Sequence, residues 1–281
     1  MPYVTIDAAA VDSAHTVAQL PSIYYEVHDQ RSGLSGPTVL LIHGVGGDHL
    51  HWPPQLRRLH NVIVYAIDLP GHGRSAPLLM AGHAELTIAT YSTVIQAFIL
   101  QLALAQVVLV GHSMGGAIVL DHAQRYGTAA PYLVAGLVLV GTGAQLPVNE
   151  QILNGLQEDF PAMTAKLVEW MYGPAWPPTL RQRAVEELRK NSVTQLLTDF
   201  RACNRFDGRA DLATLTMPSL VICGELDKMT PVASSRLLTD ALPMSTLHLV
   251  PACGHMVMLE APKSVTALIQ AFIDTCSAKS G

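Results

Sequence analysis

A glycine-rich stretch from Gly111 to Gly116, with Ser113 near its centre, carries the clearest chemical pattern in this sequence. It follows a short apolar run and precedes residues at helical spacing. A serine between a strand and a helix can occupy a strained turn that leaves its hydroxyl exposed. Glycine is favoured on either side because a side chain there would collide across the turn. We therefore predict that Ser113 is a nucleophile; an incidental serine in a glycine-rich turn is the alternative.

A serine hydroxyl is a weak nucleophile at neutral pH, so it needs a histidine base and a carboxylate that fixes the histidine tautomer. Asp227 and His255 each follow a strand-like apolar run, and they come after Ser113 in the required order. The carboxyl ends of parallel strands lie together, so the three residues can meet. Glu225 is the less suitable acid because it is still leaving the strand. A helix cap for Asp227 and a structural role for His255 are the alternatives.

Negative charge that develops on a substrate oxygen is stabilised by backbone N–H donors placed beside the nucleophile. Met114 follows the predicted nucleophile at the start of a helix, so its amide is the first predicted donor. The glycine-rich loop after an earlier apolar run lets the backbone approach a ligand closely. We predict the amide of Val45 as the second donor, with Gly46 as the alternative, and expect His43 to brace this loop.

Short apolar runs alternate with stretches at helical spacing along most of the chain. The predicted strands are Ile23–Val27, Val39–Ile42, Val62–Ala66, Val107–Val110, Leu137–Val140, Ser219–Cys223 and Thr246–Val250. The helical stretches between them are Tyr91–Leu102, Ala117–Arg125, Val232–Leu242 and Ser264–Phe272. Several strand-like runs lack polar alternation, which is typical of strands covered on both faces. The alternation predicts a mostly parallel sheet with crossover helices.

One long segment interrupts this alternation, because residues 144–209 contain helical stretches and no strand-like run. The four helical stretches are Glu150–Asp159, Thr164–Met171, Leu180–Lys190 and Val193–Arg201. We predict that 1–143 and 210–281 are the two parts of an α/β core, and that 144–209 forms a helical cap over it.

These motifs resemble the α/β-hydrolase superfamily, specifically its small, cap-bearing, esterase-like members. The resemblance rests on the turn around Ser113, on His43-Gly44, on the segment Asp68–Ser75 and on Gly254-His255. It spans roughly residues 23–272. The resemblance implies the α/β-hydrolase fold, with an eight-stranded mostly parallel sheet flanked by helices and a helical cap. It also implies ester hydrolysis without a cofactor.

Substrate contacts are expected around the glycine-rich loop, the nucleophile turn and the cap. The cap tryptophans form the roof of an apolar pocket in one interpretation and only pack the cap onto the sheet in the other. The predicted substrate-binding residues are His43, Gly44, Trp52, His112, Trp170, Trp176 and Met256.

Other reactions in this superfamily make different demands on the sequence. Dehalogenases and epoxide hydrolases need aspartate where Ser113 stands, and hydroxynitrile lyases place lysine where this chain has Met256. Carbon–carbon bond hydrolases share the Ser-Met-Gly-Gly sequence motif. Their oxyanion loop usually has the sequence Gly-Pro-Gly after a serine, unlike Val45-Gly46-Gly47 in this chain. The prediction is a carboxylesterase-like enzyme for small to medium hydrophobic esters. Carbon–carbon cleavage and a slow-turnover ligand sensor stay open as alternatives.

Composition restricts the partners and the location. The net charge is -5, and no Lys/Arg-rich run exists to neutralise a phosphate backbone, so no nucleic acid partner is expected. With 49% hydrophobic and 14% charged residues, an apolar pocket or a homodimer contact is expected. We predict no membrane span, a cytoplasmic location, free cysteine thiols and no metal at Asp48, His49 and His51.

Overall fold

A sheet of eight strands forms the centre of the fold. The computed structural model describes residues 2–6, 17–19, 21–32, 36–80, 85–127 and 134–278. The sheet order is β1-β3-β5-β4-β7-β8-β9-β10, while β2 and β6 form a separate antiparallel pair. The strands are β1 Tyr3–Thr5, β2 Val17–Gln19, β3 Ser22–Asp29, β4 Thr38–Ile42, β5 Ile63–Ile67, β6 Leu79–Met80, β7 Val107–His112, β8 Val134–Val140, β9 Ser219–Gly224 and β10 Ser245–Val250.

The six strands from β5 to β10 in the sheet order run parallel to one another, and β3 pairs antiparallel with both β1 and β5. Strands β4, β7 and β9 are buried at every position, which explains their lack of polar alternation. The carboxyl ends of β4, β7, β9 and β10 therefore open onto one edge of the sheet.

Ten α-helices surround this sheet in the described part of the chain, and four of them lie between β8 and β9. The helices are α1 Pro54–Arg57, α2 Ile88–Gln101, α3 Met114–Tyr126, α4 Glu150–Glu158, α5 Phe160–Met171, α6 Pro178–Leu188, α7 Val193–Arg205, α8 Val232–Ala241, α9 Val257–Glu260 and α10 Pro262–Ala278. We call α4 to α7 the cap helices. Within the described residues, no helix has both the length and the apolar character needed to cross a membrane.

Two hydrophobic clusters cover the two faces of the sheet, because alternate side chains of each buried strand point in opposite directions. Leu40 and Ile42 of β4 pack in one cluster with residues of α2 and α3, while Val39 and Leu41 pack in the other with α10. The second cluster also takes in apolar residues of the cap helices, including Phe200. The cap helices are thus held by the same kind of packing that holds the sheet.

The two ends of the helical insertion meet at one point. The Gly208 amide donates to the Ala144 carbonyl at 2.8 Å, and Gln145 forms an isolated antiparallel bridge with Asp207. The chain therefore leaves and re-enters the core at a narrow joint, close to the ends predicted for the cap.

The predicted α/β fold with an eight-stranded, mostly parallel sheet is confirmed, and each predicted strand and helix lies on an observed one with ends shifted by a few residues. Cys203, Cys223 and Cys253 are buried free thiols, as expected. Asp48 caps the 3-10 helix His49–His51, since its carboxylate accepts from the Leu50 amide at 2.8 Å.

Candidate active site

Ser113 lies on the turn between β7 and α3 with φ 54 and ψ -116, a strained conformation for a residue with a side chain. The surrounding backbone is so close that only glycine fits at two neighbouring positions. A Cβ on Gly111 would lie 2.2 Å from the Gly115 carbonyl oxygen, and one on Gly115 would lie 2.2 Å from the Ile42 oxygen. This crowding explains why the turn combines one serine with flanking glycines.

Met114 is the first residue of α3, so its amide is among the N–H groups for which the helix offers no carbonyl acceptor. The aligned peptide dipoles of α3 add partial positive charge at the same place. An oxygen that gains negative charge beside Ser113 would be stabilised by both effects.

Asp227 and His255 form a buried pair next to this turn, with His255 Nδ1 2.9 Å from Asp227 Oδ2. The other carboxylate oxygen accepts the amides of Met229 and Thr230, each at 2.8 Å. The Thr230 hydroxyl donates to Oδ2 at 2.8 Å. Burial alone would raise the pKa of Asp227, but the nearby His255 and these hydrogen bonds lower it below its ordinary value. The carboxylate is therefore ionised at neutral pH and fixes the imidazole.

The backbone of His255 is also held on both sides. Its amide donates to the Met171 carbonyl at 2.8 Å, and its carbonyl accepts from His112 Nε2 at 3.1 Å. Since Nδ1 of His255 faces the carboxylate, Nε2 is left for the opposite direction. A small cavity of about 30 Å³ is bordered by His255, Ser113 and Val45. Ser113, His255 and Val45 of the glycine-rich loop thus border one space.

The loop after β4 approaches Ser113 closely, because a Cβ on Gly44 would lie 3.0 Å from the Ser113 Cβ. Of the two predicted loop donors, the Gly46 amide is directed at Asp199 Oδ2, 3.5 Å away. The Gly46 carbonyl accepts from Asn191 Nδ2 at 2.9 Å. The Gly46 amide therefore faces a cap helix, while Val45 borders the small cavity.

His43 joins this loop to the one that follows β5. Its Nδ1 donates to the Gly44 carbonyl at 2.8 Å, and its Nε2 accepts the Leu69 amide at 2.9 Å. Burial, followed by the neighbouring His72, lowers the pKa of His43 well below its ordinary value. A neutral ring suits both bonds, since one nitrogen donates and the other accepts. The structure therefore places His43 as a brace.

Two larger cavities adjoin the small one. A cavity of about 330 Å³ borders Ser113 and has an apolar wall that includes Val148, Ile152, Trp170 and Phe200. Another of about 800 Å³ lies between the loop after β4 and helices α5 to α7, and it includes Met256 and His51. The small cavity shares residues with both, so space continues in two directions from the cavity that Ser113 and His255 border.

Four of the seven predicted substrate-binding residues lie at or beside these spaces. Trp170, His112 and Met256 border them, and Gly44 lies against the Ser113 side chain.

The other three, Trp52, Trp176 and His43, do not border any of the three cavities described here. Trp52 is 0% exposed and belongs to the second hydrophobic cluster. Trp176 stacks on Tyr172, with ring centroids 5.1 Å apart, and packs the cap. His43 is fully buried by its two loop contacts.

Sequence reasoning missed Thr230, Asn191 and Asp199. Thr230 was within reach of such reasoning, because a carboxylate commonly accepts backbone amides two and three residues further on. Asn191 and Asp199 contact the glycine-rich loop from the cap helices, and no local pattern marks them.

Comparison with known proteins places this geometry in a family. A model of the alpha/beta hydrolase family matches residues 39–268, which include the loop after β4, the turn at Ser113 and the Asp227–His255 pair. The chain belongs to the alpha/beta hydrolase family. Within this family, a solved thermophilic esterase is 28% identical, covers 98% of this chain and 97% of its own, and superimposes with a TM-score of 0.78.

Two curated relatives carry different activity names. The dihydrolipoyllysine-residue acetyltransferase component of the acetoin cleaving system from Pseudomonas putida is 32% identical over 86% of this chain, which spans 64% of that relative's length. The 2-hydroxy-6-oxononadienedioate/2-hydroxy-6-oxononatrienedioate hydrolase from Cupriavidus pinatubonensis is 25% identical over 89% of this chain and 91% of its own length. This alpha/beta hydrolase therefore has relatives with several reactions.

Proposed function

We propose that this alpha/beta hydrolase is a carboxylesterase-like serine hydrolase that cleaves small to medium hydrophobic esters. The observation that carries the proposal is the 2.9 Å contact between His255 Nδ1 and Asp227 Oδ2, beside a cavity that the strained Ser113 also borders. In the proposed roles, Ser113 is the nucleophile, His255 its general base and Asp227 the residue that orients the imidazole.

The reaction proceeds in two acyl-transfer steps. His255 takes the proton as the Ser113 oxygen attacks the ester carbonyl, and it returns that proton to the leaving alcohol. Water then attacks the acyl-enzyme, again with His255 as the base, and the acid leaves. Asp227 remains ionised throughout, consistent with its lowered pKa. Each proton transfer has a side chain to carry it, so the proposal requires no cofactor.

The oxyanion of each tetrahedral intermediate is stabilised by the amides of Val45 and Met114. Met114 contributes from the start of α3 and Val45 from the loop after β4, on a residue that borders the small cavity. Loss of one such donor typically costs about 10²–10³ in rate. The substrate is proposed to place its apolar part in the 330 Å³ cavity, whose wall includes Trp170 and Phe200.

Carbon–carbon bond hydrolysis is the second candidate, and the activity named for the Cupriavidus relative favours it. That relative acts, by its name, on a 2-hydroxy-6-oxo dienedioate, which bears two carboxylates. The 330 Å³ cavity of this chain has a single charged residue among its described lining residues, Lys228, and mostly apolar neighbours. An uncharged apolar ester suits that lining better.

Turnover of p-nitrophenyl esters by wild type and by Ser113→Ala tests the proposal. We expect wild type to hydrolyse p-nitrophenyl esters with acyl chains of two to sixteen carbons and to prefer the shorter half of that range. We expect Ser113→Ala to be inactive. A fluorophosphonate should label wild type at Ser113 and leave the variant unlabelled. Equal ester hydrolysis by the two proteins would refute the mechanism. Faster cleavage of a 2-hydroxy-6-oxo dienoate than of any ester would favour the second candidate.

A further inference from the structure

A buried carboxylate on cap helix α7 contacts both the core and the loop after β4. Asp199 is 0% exposed, and its Oδ1 accepts from the Tyr91 hydroxyl and from Gln195 Nε2, both at 2.9 Å. Its Oδ2 lies 2.7 Å from His72 Nε2 and 3.5 Å from the Gly46 amide. Oδ2 of Asp199 therefore contacts both the segment after β5 and the glycine-rich loop.

His72 is the cation that balances this carboxylate. Its Nε2 faces Asp199, and its Nδ1 faces the Pro70 carbonyl at 3.1 Å. Both partners can only accept, so only a doubly protonated ring satisfies both contacts. Burial acts to lower the pKa of His72, but the charge and hydrogen bond of Asp199 outweigh it and raise the pKa. The result is a buried ion pair between α7 and the core.

The Gly46 peptide is held by the cap from several directions. Asn191, in the turn between α6 and α7, donates to the Gly46 carbonyl at 2.9 Å, while the Gly46 amide faces Asp199. Gly46 has φ +62, and a Cβ on it would lie 2.8 Å from Leu188 and from Leu196 on the cap helices. The cap therefore leaves no free space around this residue.

We propose that Asp199 and Asn191 are positioning residues that hold the Gly46 peptide from the cap helices and thereby orient the Val45 amide for the oxyanion. The inference rests on the proposed function, in which Val45 is an oxyanion donor. The Gly46 amide that faces Asp199 belongs to the peptide plane between Val45 and Gly46, which is adjacent to the plane that carries the Val45 amide, so rotation of one about the Val45 backbone displaces the other. The Gly46 carbonyl that accepts from Asn191 belongs to the following plane, so Asn191 acts on the Val45–Gly46 plane through the Gly46 backbone dihedrals. His72 acts by holding the Asp199 carboxylate in place through the 2.7 Å contact with Oδ2.

This arrangement makes the cap part of the catalytic machinery as well as a cover. Asp199 is 153 residues from Gly46 in the chain, so the donor is fixed only when α7 is packed in place. An oxyanion donor acts mainly in the transition state, because negative charge on the oxygen develops there. Loosening the Gly46 peptide should therefore weaken transition-state binding and leave substrate binding nearly unchanged.

Three variants separate this role from a general effect on the cap. Asn191→Ala removes the bond to the Gly46 carbonyl and leaves the ion pair intact. Asp199→Asn removes the charge that faces the Gly46 amide. Thr164→Val is the matched control, because Thr164 is a fully buried cap residue whose hydroxyl accepts from Arg189 Nε at 3.0 Å and donates to the Phe160 carbonyl at 2.8 Å, both within the cap.

For each variant, kcat and KM are measured on p-nitrophenyl butyrate, together with two inhibition constants. An alkylboronic acid, which adds to the serine oxygen and places a boronate oxygen in the oxyanion hole, reports transition-state binding. The corresponding butyramide reports ground-state binding. We expect Asn191→Ala and Asp199→Asn to lower kcat and boronate affinity together by about 10- to 100-fold, below the ceiling for full loss of a donor. Butyramide affinity should change less than twofold, and Thr164→Val should change neither constant.

An unchanged boronate affinity in folded Asn191→Ala would overturn the inference. An equal loss of boronate and butyramide affinity in Asn191→Ala, or the same selective loss of boronate affinity in the Thr164→Val control, would overturn it too. If Asp199→Asn fails to fold because it leaves the His72 cation unpaired, Asn191→Ala decides alone. Failure of the proposed function gives a different result, since Ser113→Ala would then remain active. An inactive Ser113→Ala with a fully active Asn191→Ala refutes only the positioning role.

Discussion

Protonation of a histidine on α3, the helix that follows Ser113, should limit the stability of this protein in mild acid. His122 lies on α3, is 1% exposed, and directs Nε2 at Gln96 Oε1, 2.9 Å away. Its Nδ1 is buried with no hydrogen-bond partner among the described residues. Burial, followed by the charge of Arg125, lowers the pKa of His122 to about 3. The folded protein therefore holds this ring neutral over most of the acid range.

The free energy of unfolding depends on pH because His122 binds a proton at a different pH in the folded and unfolded states. An unfolded histidine has a pKa of about 6.5, so it takes up a proton between pH 7 and pH 5 while folded His122 does not. The unfolded state binds more protons, and stability falls as the pH falls. Between these pH values the loss from this one residue is about 2 kcal/mol, at about 1.4 kcal/mol per pH unit for a full proton.

The perturbation is His122→Gln, which keeps an amide N–H within reach of Gln96 and cannot take up a proton. Unfolding by urea is followed at pH 7 and pH 5 for wild type and variant. We expect the stability difference between them to shift by about 2 kcal/mol in favour of the variant at pH 5. Other buried histidines, such as His43 and His112, are present in both proteins, so their contributions to the pH dependence of stability cancel in the comparison. An unchanged stability difference would show that folded His122 titrates normally and would refute the reasoning.

Two further predictions concern the site itself. Asp227→Asn should lower kcat on p-nitrophenyl butyrate by roughly 10⁴, because the amide favours the wrong tautomer of His255, while circular dichroism shows an intact fold; activity within tenfold of wild type would contradict the assigned role. Gly115→Ala should give no active enzyme in the folded fraction, since its Cβ would lie 2.2 Å from the Ile42 carbonyl oxygen. A variant with normal turnover and fluorophosphonate labelling would show that the turn tolerates a side chain.

The parts of this structure that could be predicted from the sequence are those governed by local physics. Strands β4 and β7 are continuous apolar runs because they are covered on both faces. At the turn around Ser113, a Cβ on Gly111 would collide with the Gly115 carbonyl of the same turn, so this requirement for glycine is visible within six consecutive residues. Asp227 and His255 lie close together because β9 and β10 are parallel and each residue follows the carboxyl end of its strand.

The directions of the tryptophan side chains could not be predicted from the sequence. Trp52 and Trp176 are large and close in sequence to the glycine-rich loop and the cap, which made both candidates for the pocket wall. Trp52 instead points into the second hydrophobic cluster, and Trp176 stacks on Tyr172. The direction of such a side chain is decided by tertiary packing, and no periodicity in the sequence reports it.

The contacts of Asp199 could not be predicted for a related reason. Its partner His72 is 127 residues away, and its contact with Gly46 crosses from the cap to the core. Aspartate in a helix is mostly exposed to solvent, and no local pattern on α7 marks Asp199 as a buried group with a charged partner. Only the assembled structure brings the carboxylate to a cation and to the loop.

The narrow joint at which the helical insertion leaves and re-enters the core has a consequence for protein engineering. Because Ala144 and Gly208 are hydrogen-bonded neighbours, a foreign insertion with matching ends could be grafted there without redirecting the strands on either side. A chimera of this kind would change the pocket wall in one step. Its donor segment should carry an amide and a carboxylate where Asn191 and Asp199 now stand, so that the recipient keeps its rate as well as gaining a new substrate range.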